Sequence, residues 1–335
     1  MKKLILKDGY VSKLNLLETE VAIKFVKDNF ERDLAKELKL TRVSAPLFVF
    51  PKTGLNDNLN GYERRVSFDI KNIADEVEVV QSLAKWKRNA LAKYGFQEGY
   101  GLYTDMNAIR RDEDLDTLHS AYVDQWDWEK IISRDDRKVS YLKKTVKKIY
   151  NVLKKIEKKV NKEFPILECV LPNDIFFITT KELEKEYPNL TPAEREYEIC
   201  KKHGAVFIMQ IGGKLKNGLP HDGRAADYDD WKLNGDIMLY YKELDIAYEI
   251  SSMGIRVDEK SILTQLKAKN EEYKIENDYV QGILNHKLPL TIGGGIGQSR
   301  LCMFMLKKVH IGEVQASVWS DEDIKLLEEK NIHLL

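Results

Sequence analysis

The segment Leu290–Leu306, LTIGGGIGQSRLCMFML, limits what the 335-residue chain can fold into more than any other stretch. Three consecutive glycines, a fourth at Gly297 and an arginine at Arg300 precede the apolar run Leu301–Leu306. A run without a strongly polar side chain on any face belongs inside the molecule, so the sequence predicts a strand end, a glycine turn and an internal helix. Arg300 then falls in the first turn of that helix, among N–H groups that have no intrahelical acceptor. A cation there opposes the helix dipole by roughly 0.3–1 kcal/mol, a cost that an anion held jointly by the guanidinium and the amides offsets. A tight buried turn whose arginine pairs with a local carboxylate fits the same residues. Two common phosphate motifs do not: G-x-G-x-x-G requires glycine at Gln298 or Arg300, and Gly212-Gly213-Lys214 is followed by Leu215 where a P-loop has Ser or Thr.

A hydrophobic content of 43% with 10% aromatics is ample for a packed core. Lys plus Arg equals Asp plus Glu at 54 each, so no overall field draws the chain to nucleic acid or a membrane surface, and neither is expected as a partner. Cys169, Cys200 and Cys302 are too far apart in sequence for a disulfide framework or a metal cluster. They suggest reduced thiols and a cytoplasmic protein. No apolar run approaches the ~20 residues of a membrane span, and MKKLILKDGY has too short an apolar part for a secretory signal. The expectation is one domain over residues 1–335, with its core at about 17–319.

Leu17–Leu40 reads as a long amphipathic helix, and Thr41–Phe50 as a strand broken by Pro46 and ended by Pro51. Pro51–Tyr62 is a Gly- and Asn-rich loop carrying Asp57, followed by strands at Arg65–Ile70 and Glu76–Gln81. Lys85 and Lys87 lie just beyond, where either can meet an anionic substrate or both can be solvated. After a strand over Gly99–Ile109 comes a charged loop and then YVDQWDWE, read with period two. Gln125, Asp127 and Glu129 share one face, and Tyr122, Trp126 and Trp128 the other; the polar face is either a site or an exposed sheet surface.

Tyr141–Lys162 is the clearest helix, and its nine lysines suit a solvated face better than an RNA platform, which needs several stacking aromatics. A helix pair over Lys181–Lys202 and a buried strand over Ala205–Ile211 follow. HDGRAADYDDW, His221–Trp231, holds four aspartates and Arg224 and must be a surface or site loop. Asn234-Gly235 reads as a turn before a strand opened by Asp236. In Asp245–Arg256, Ile246, Tyr248 and Ile250 alternate with Ala247, Glu249 and Ser251, which places Glu249 and Ser251 on the polar face.

The polar positions have a joint logic: a triphosphate needs guanidinium groups, Mg²⁺ needs carboxylates with phosphate oxygens, and an amino acid needs one group of each sign. Arg110–Asp114 followed by YVDQWDWE resembles motif 2 of class II aspartyl- and asparaginyl-tRNA synthetases, and TIGGGIGQSR resembles their motif 3. The helix–strand pair near residue 17 is similar to their motif 1, which forms the dimer interface. More specifically, SLAKWKR, LHSAYVDQWDWE, DYDDW, NGDI, SSMGIR and TIGGGIGQSR resemble the ammonia-dependent asparagine synthetase family, over about Leu17–Trp319.

That resemblance implies an α+β fold with a class II antiparallel sheet flanked by helices, in a homodimer. It implies ATP-dependent amidation of L-aspartate by ammonia through β-aspartyl-AMP, with Mg²⁺ as cofactor. Arg110 and Arg300 would hold the phosphates, with Glu113, His119, Gly295 and Gly297 on the ATP side, and Asp236 and Glu249 would hold Mg²⁺ while also touching ATP. Asp57, Lys85 or Lys87, Gln125, Asp127, Asp229, Ser251 and Arg256 fall to the aspartate side, with Asp57 and Asp127 as candidate proton acceptors. Two departures stand out: Ala226 replaces a usual proline before DYDDW, and the segment from Trp231 to Asn234 is short. Rival readings are a tRNA synthetase and a silent paralogue that senses amino acids. The first lacks room for an anticodon domain, and the second does not explain both arginines and both carboxylates.

Overall fold

The structure is a computed structural model that describes residues 4–56, 59 and 63–335. Helix α1 (Leu16–Leu38) opens on a capping box in which Asn15 and Glu18 each accept the other's backbone N–H. It buries Ala22, Val26, Phe30 and Leu34 at helical spacing and stops at Lys39, whose φ of 60° ends the ladder. β1 (Leu40–Arg42) follows at once, and β2 (Phe48–Val49) comes after Pro46. The expected single strand is thus two, and they join different sheets. Proline offers no N–H to continue the ladder.

β3 (Ser67–Ile70) and β4 (Ile73–Val79) complete a small antiparallel sheet with β2, in the order β2-β4-β3. Next come α2 (Ala84–Lys93), β5 (Gly101–Ile109), β6 (Tyr122–Ile131) and α3 (Val139–Glu163). β7 (Phe176–Thr179), α4 (Thr180–Glu186), α5 (Pro192–His203) and β8 (Ala205–Met209) form the outer part. The chain returns through β9 (Asp229–Tyr241), β10 (Ile246–Arg256), α6 (Glu259–Lys269) and α7 (Asp278–Leu284). It ends with β11 (Thr291–Gly297), α8 (Gln298–Met305) and α9 (Asp321–Glu329).

The main sheet runs β1-β5-β6-β11-β10-β9-β8-β7 among the described residues. Its inner pairs are antiparallel, and only the edge pairs β1–β5 and β7–β8 are parallel. One face is apolar: Trp126, Trp128, Ile292, Ile296 and Met253 pack with α1, α3 and α8 in a single core. Leu301–Leu306 are essentially inaccessible, as the apolar run requires. Lysines of α3 reach α1, Lys155 and Lys159 to Asp33 and Lys148 to Glu37. Such surface pairs contribute about 0–1 kcal/mol each.

Two glycine readings change. The expected glycine turn is absent: Gly293–Gly297 are all strand, none has positive φ, and α8 starts directly after. Asn234-Gly235 is likewise inside β9, not a turn. Asn234 bonds both the N–H and the carbonyl of Ile211, and a Cβ at Gly235 would overlap the Ile208 carbonyl. Both positions require glycine for close approach, which local sequence does not distinguish from a turn.

Candidate active site

The second face of the sheet is polar because of how β11 sits between its neighbours. Gly293, Gly295 and Gly297 lie opposite Glu129, Asp127 and Gln125 of β6, and Gly293 also lies opposite Gly254 of β10. With no side chain at these three positions, β11 leaves room for the long polar groups of β6 to fold across it. A Cβ at Gly295 would overlap Gln125 Oε1, and one at Gly293 would overlap Glu129 Oε2 and come within 2.7 Å of Arg256 Nη2. Gly293→Ala is therefore expected to force the buried Glu129–Arg256 pair apart and cost about 1–3 kcal/mol, read as a lowered midpoint in urea denaturation.

Above this floor is a cavity of about 500 Å³. Arg110, Glu113 and His119 enter it from the β5–β6 connection, Arg300 from α8, and Lys87 from α2. Gln125, Asp127, Gly295, Gly297, Asp229, Glu249 and Arg256 complete most of the expected set. The two arginines that sequence reasoning places on one nucleotide thus face one space.

At the arginine end, Arg110 Nη1 lies 3.5 Å from Glu113 Oε2. Arg300 donates to the Glu249 carbonyl at 3.2 Å and to His119 Nε2 at 2.8 Å. Arginine only donates, so His119 Nε2 must accept, and its ring proton sits on Nδ1, which donates to Asp116 at 2.9 Å. Gly297 supplies no side-chain cap to α8. Asp124 of β6 does this instead, its Oδ1 accepting from Ser299 N at 3.0 Å and its Oδ2 from Ser299 Oγ at 2.8 Å and from Lys27 of α1 at 3.0 Å. The turn that carries Arg300 is therefore fixed from the core side.

At the other end, five ionisable side chains share a buried cluster. Arg256 donates through Nε and Nη2 to Glu129, at 3.0 and 2.7 Å, and through Nη1 to Asp229. Lys87 donates to Asp127 at 2.7 Å and to the Gly294 carbonyl at 3.1 Å, and lies 4.0 Å from Glu129. Burial pushes the Glu129 pKa up, but Arg256 and Lys87 outweigh it and hold the carboxyl below its ordinary value. Burial pushes Lys87 down and Asp229 up. Two cations face three carboxylates, leaving one negative charge in excess. Asp127 Oδ2 is buried with no hydrogen-bond partner among the described residues. Such a pocket accepts an ammonium group.

Between the two ends, Arg224 of the His221–Tyr228 loop lines the cavity, and Asp236 lies against it, outside the lining. Arg224 is ion-paired with Asp236 and reaches Asp222 at 2.9 Å. Burial raises the Asp236 pKa against the pull of Arg224, with Glu249 adding to the rise, to about 7.

Several expected site residues are placed elsewhere. Ser251 does not line the cavity; it is buried with its Oγ unpartnered among the described residues, and Ser252 takes the polar side. The β9–β10 register shifts between Glu249 and Ser251, and this bulge reverses the alternation. Lys85 also turns away, lying 3.4 Å from Asp227, which Lys274 approaches at 3.9 Å. Two residues apart on α2, Lys85 and Lys87 cannot share a helix face. Asp57 lies outside the described residues. Glu129, Arg224, Asp116 and Asp124 were not assigned from sequence. Glu129 and Arg224 were visible as charges on the right face and loop, but their partners are distant in the chain.

An antiparallel sheet flanked by helices, with one arginine just after β5 and another in the first turn of α8, defines a class II aminoacyl-tRNA synthetase type of catalytic domain. Asparaginyl-tRNA synthetase from Pyrococcus horikoshii, complexed with asparaginyl-adenylate, shares this fold with a TM-score of 0.67 at 15% identity, over 90% of this chain and 70% of that one. The Entamoeba histolytica asparaginyl-tRNA synthetase complex gives a TM-score of 0.63 at 15% identity, over 90% of this chain and 66% of that one. The chain thus spans about two thirds of the length of these structures, and the likeness is one of fold. Within that class the chain belongs to the aspartate–ammonia ligase family, whose model matches residues 17–331. The aspartate–ammonia ligase of Ruminiclostridium cellulolyticum is 61% identical over the whole of both chains, and that of Fusobacterium nucleatum is 62% identical over 98% of this chain and all of its own.

Proposed function

We propose that the protein makes L-asparagine from L-aspartate and ammonia, at the expense of ATP cleaved to AMP and pyrophosphate. The observation that carries this reading is the single cavity with Arg110 and Arg300 at one end and the Lys87–Asp127–Glu129–Arg256–Asp229 cluster at the other. A side-chain carboxylate oxygen of aspartate attacks the α-phosphorus, the bond to the bridging oxygen breaks, and pyrophosphate leaves. Ammonia then adds to the acyl carbon, AMP departs with the C–O electron pair, and the new nitrogen loses a proton. Positioning and charge stabilisation supply most of the acceleration.

The arginines neutralise charge on the phosphates, with His119 holding the Arg300 fork in place. Arg256 and Lys87 present cations to the carboxylates of aspartate, and Asp127 presents its unpartnered oxygen to an ammonium group. Asp127 and Asp57 are the carboxylates read as proton acceptors. All three cysteines are free and none lines the cavity; burial pushes the Cys302 thiol up to about 12. None is therefore placed there to hydrolyse glutamine, which favours free ammonia as the donor.

Mg²⁺ fits this donor set in part. Asp236 and Glu249 offer hard oxygens, and no group of three or more His, Cys, Asp or Glu side chains is placed for a metal among the described residues. The remaining ligands would be phosphate oxygens and water. When bound, the ion would polarise the phosphates and neutralise their charge.

The exposed Leu16, Leu17 and Val21 of α1 support a homodimer, since apolar groups clustered on a surface mark interfaces. No described helix is long and apolar enough to cross a membrane, and three free thiols fit a cytoplasmic setting.

Incubating the protein with ATP, Mg²⁺, L-aspartate and ammonium is expected to release AMP and asparagine in equal amounts, measured by chromatography. ADP as the product, or AMP formation that requires tRNA, would overturn the reading.

A further inference from the structure

We infer that Arg224 is a resident counter-cation that shields Asp236 and Glu249, so that a divalent metal is admitted to the site only together with the triphosphate. The inference rests on the nucleotide reading of the cavity and assigns a function to a residue which that reading leaves idle. Three observations carry it. Asp236 is buried, accepts the Arg224 guanidinium on Oδ2 and stays out of the cavity lining, whereas Arg224 is in the lining. Asp236 Oδ1 accepts no hydrogen bond within 3.5 Å among the described residues, although Ser252, its register partner, lies alongside. Glu249 keeps its side chain 41% exposed at the cavity, 3.8 Å from Arg300 Nη1, and its charge acts on both Arg224 and Asp236.

The charges explain the order of events. Asp236 and Glu249 repel one another, and the arginine sets its positive charge where it acts on both carboxylates. Two protein carboxylates alone leave most of an octahedral shell to other ligands, so metal binding without phosphate oxygens is weak. A triphosphate brings those oxygens and is itself an acceptor for a guanidinium fork. Arg224 Nε has no hydrogen bond among the described residues, so the side chain has donor capacity to turn toward phosphate. Asp236 is then released to the incoming ion.

The test is Mn²⁺ binding by electron paramagnetic resonance, with no nucleotide present. The wild-type chain is expected to bind Mn²⁺ weakly, and Arg224→Met to bind it about tenfold more tightly or better, because one repelling charge is gone. Arg224→Gln is expected to gain similarly, Arg224→Lys to stay near wild type, and adding Asp236→Asn to Arg224→Met to abolish the gain. An Arg224→Met or Arg224→Gln protein that melts cooperatively yet binds Mn²⁺ no more tightly than wild type would overturn the inference. If neither folds, the near-isosteric Asp236→Asn decides. It frees the guanidinium, so metal-free ATP is expected to bind several-fold more tightly by calorimetry, and unchanged affinity would count against the shield. A protein that makes no AMP from aspartate and ammonium would sink the ligase reading, while the Mn²⁺ comparison would still be decided on its own terms.

Discussion

Replacing Arg300 with alanine is expected to lower kcat/KM for ATP by about 10²–10³, the usual cost of removing one preorganised donor to a developing negative charge. The guanidinium is held by the Glu249 carbonyl and His119 Nε2, and His119 is in turn held by Asp116. It is therefore aimed before substrate arrives, and its loss cannot be recovered by a neighbour swinging in. Arg300→Lys is expected to recover only a small part, because an ammonium cannot offer a planar fork to two oxygens. Initial rates of AMP release measure the effect. An unchanged melting temperature would show that the loss is in catalysis, since the side chain is a quarter exposed and caps no core contact. A fall smaller than fivefold would remove this arginine from the phosphate site.

The second large effect is on stability. Glu129 is fully buried and accepts from Arg256 through two nitrogens, with Lys87 at 4.0 Å. Glu129→Ala strands two buried cations and opens a void, and an expected loss of about 3–5 kcal/mol follows from breaking a buried pair by removing one partner. Glu129→Gln keeps the volume and one acceptor oxygen and should cost less. The pH dependence has a definite sign. The folded-state pKa of Glu129 is lowered, so its contribution is complete above the unfolded carboxylate value of about 4.3 and is lost as pH falls through the folded value. Wild-type protein should therefore lose stability on acidification more steeply than Glu129→Gln, as urea midpoints at several pH values would show.

The parts of the fold legible in the sequence were those governed by near neighbours. The apolar spacing of α1 and α3 and the continuous apolar strand β8 report a burial pattern that local residues determine, and the alternation in β6 reports its division into an apolar and a polar face. The motif arginines Arg110 and Arg300 both line one cavity. What could not be read depends on residues far along the chain. Glycine at Gly293 and Gly295 is required by Glu129, Gln125 and Asp127, more than a hundred and sixty positions earlier, and nothing local separates that need from a turn. Ser251 and Ser252 exchange faces because β10 takes in an extra residue against β9, a register fact. Lys85 and Lys87 are resolved only by the helix that carries them and by Asp227 and Asp127 waiting on its two sides. Asp236 appeared as a free ligand because its counter-ion, Arg224, reaches it from a loop whose path the sequence did not specify.

The bare central strand has an evolutionary consequence. Since Gly293, Gly295 and Gly297 of β11 contribute only backbone and hydrogens to the floor, the identity of the compound accommodated is written by the strands on either side, β6 and β10. Residues there can be exchanged without disturbing the ladder that holds the sheet together. Attempts to retune which acid this scaffold activates should begin at Gln125 and Ser252 and leave the glycines alone.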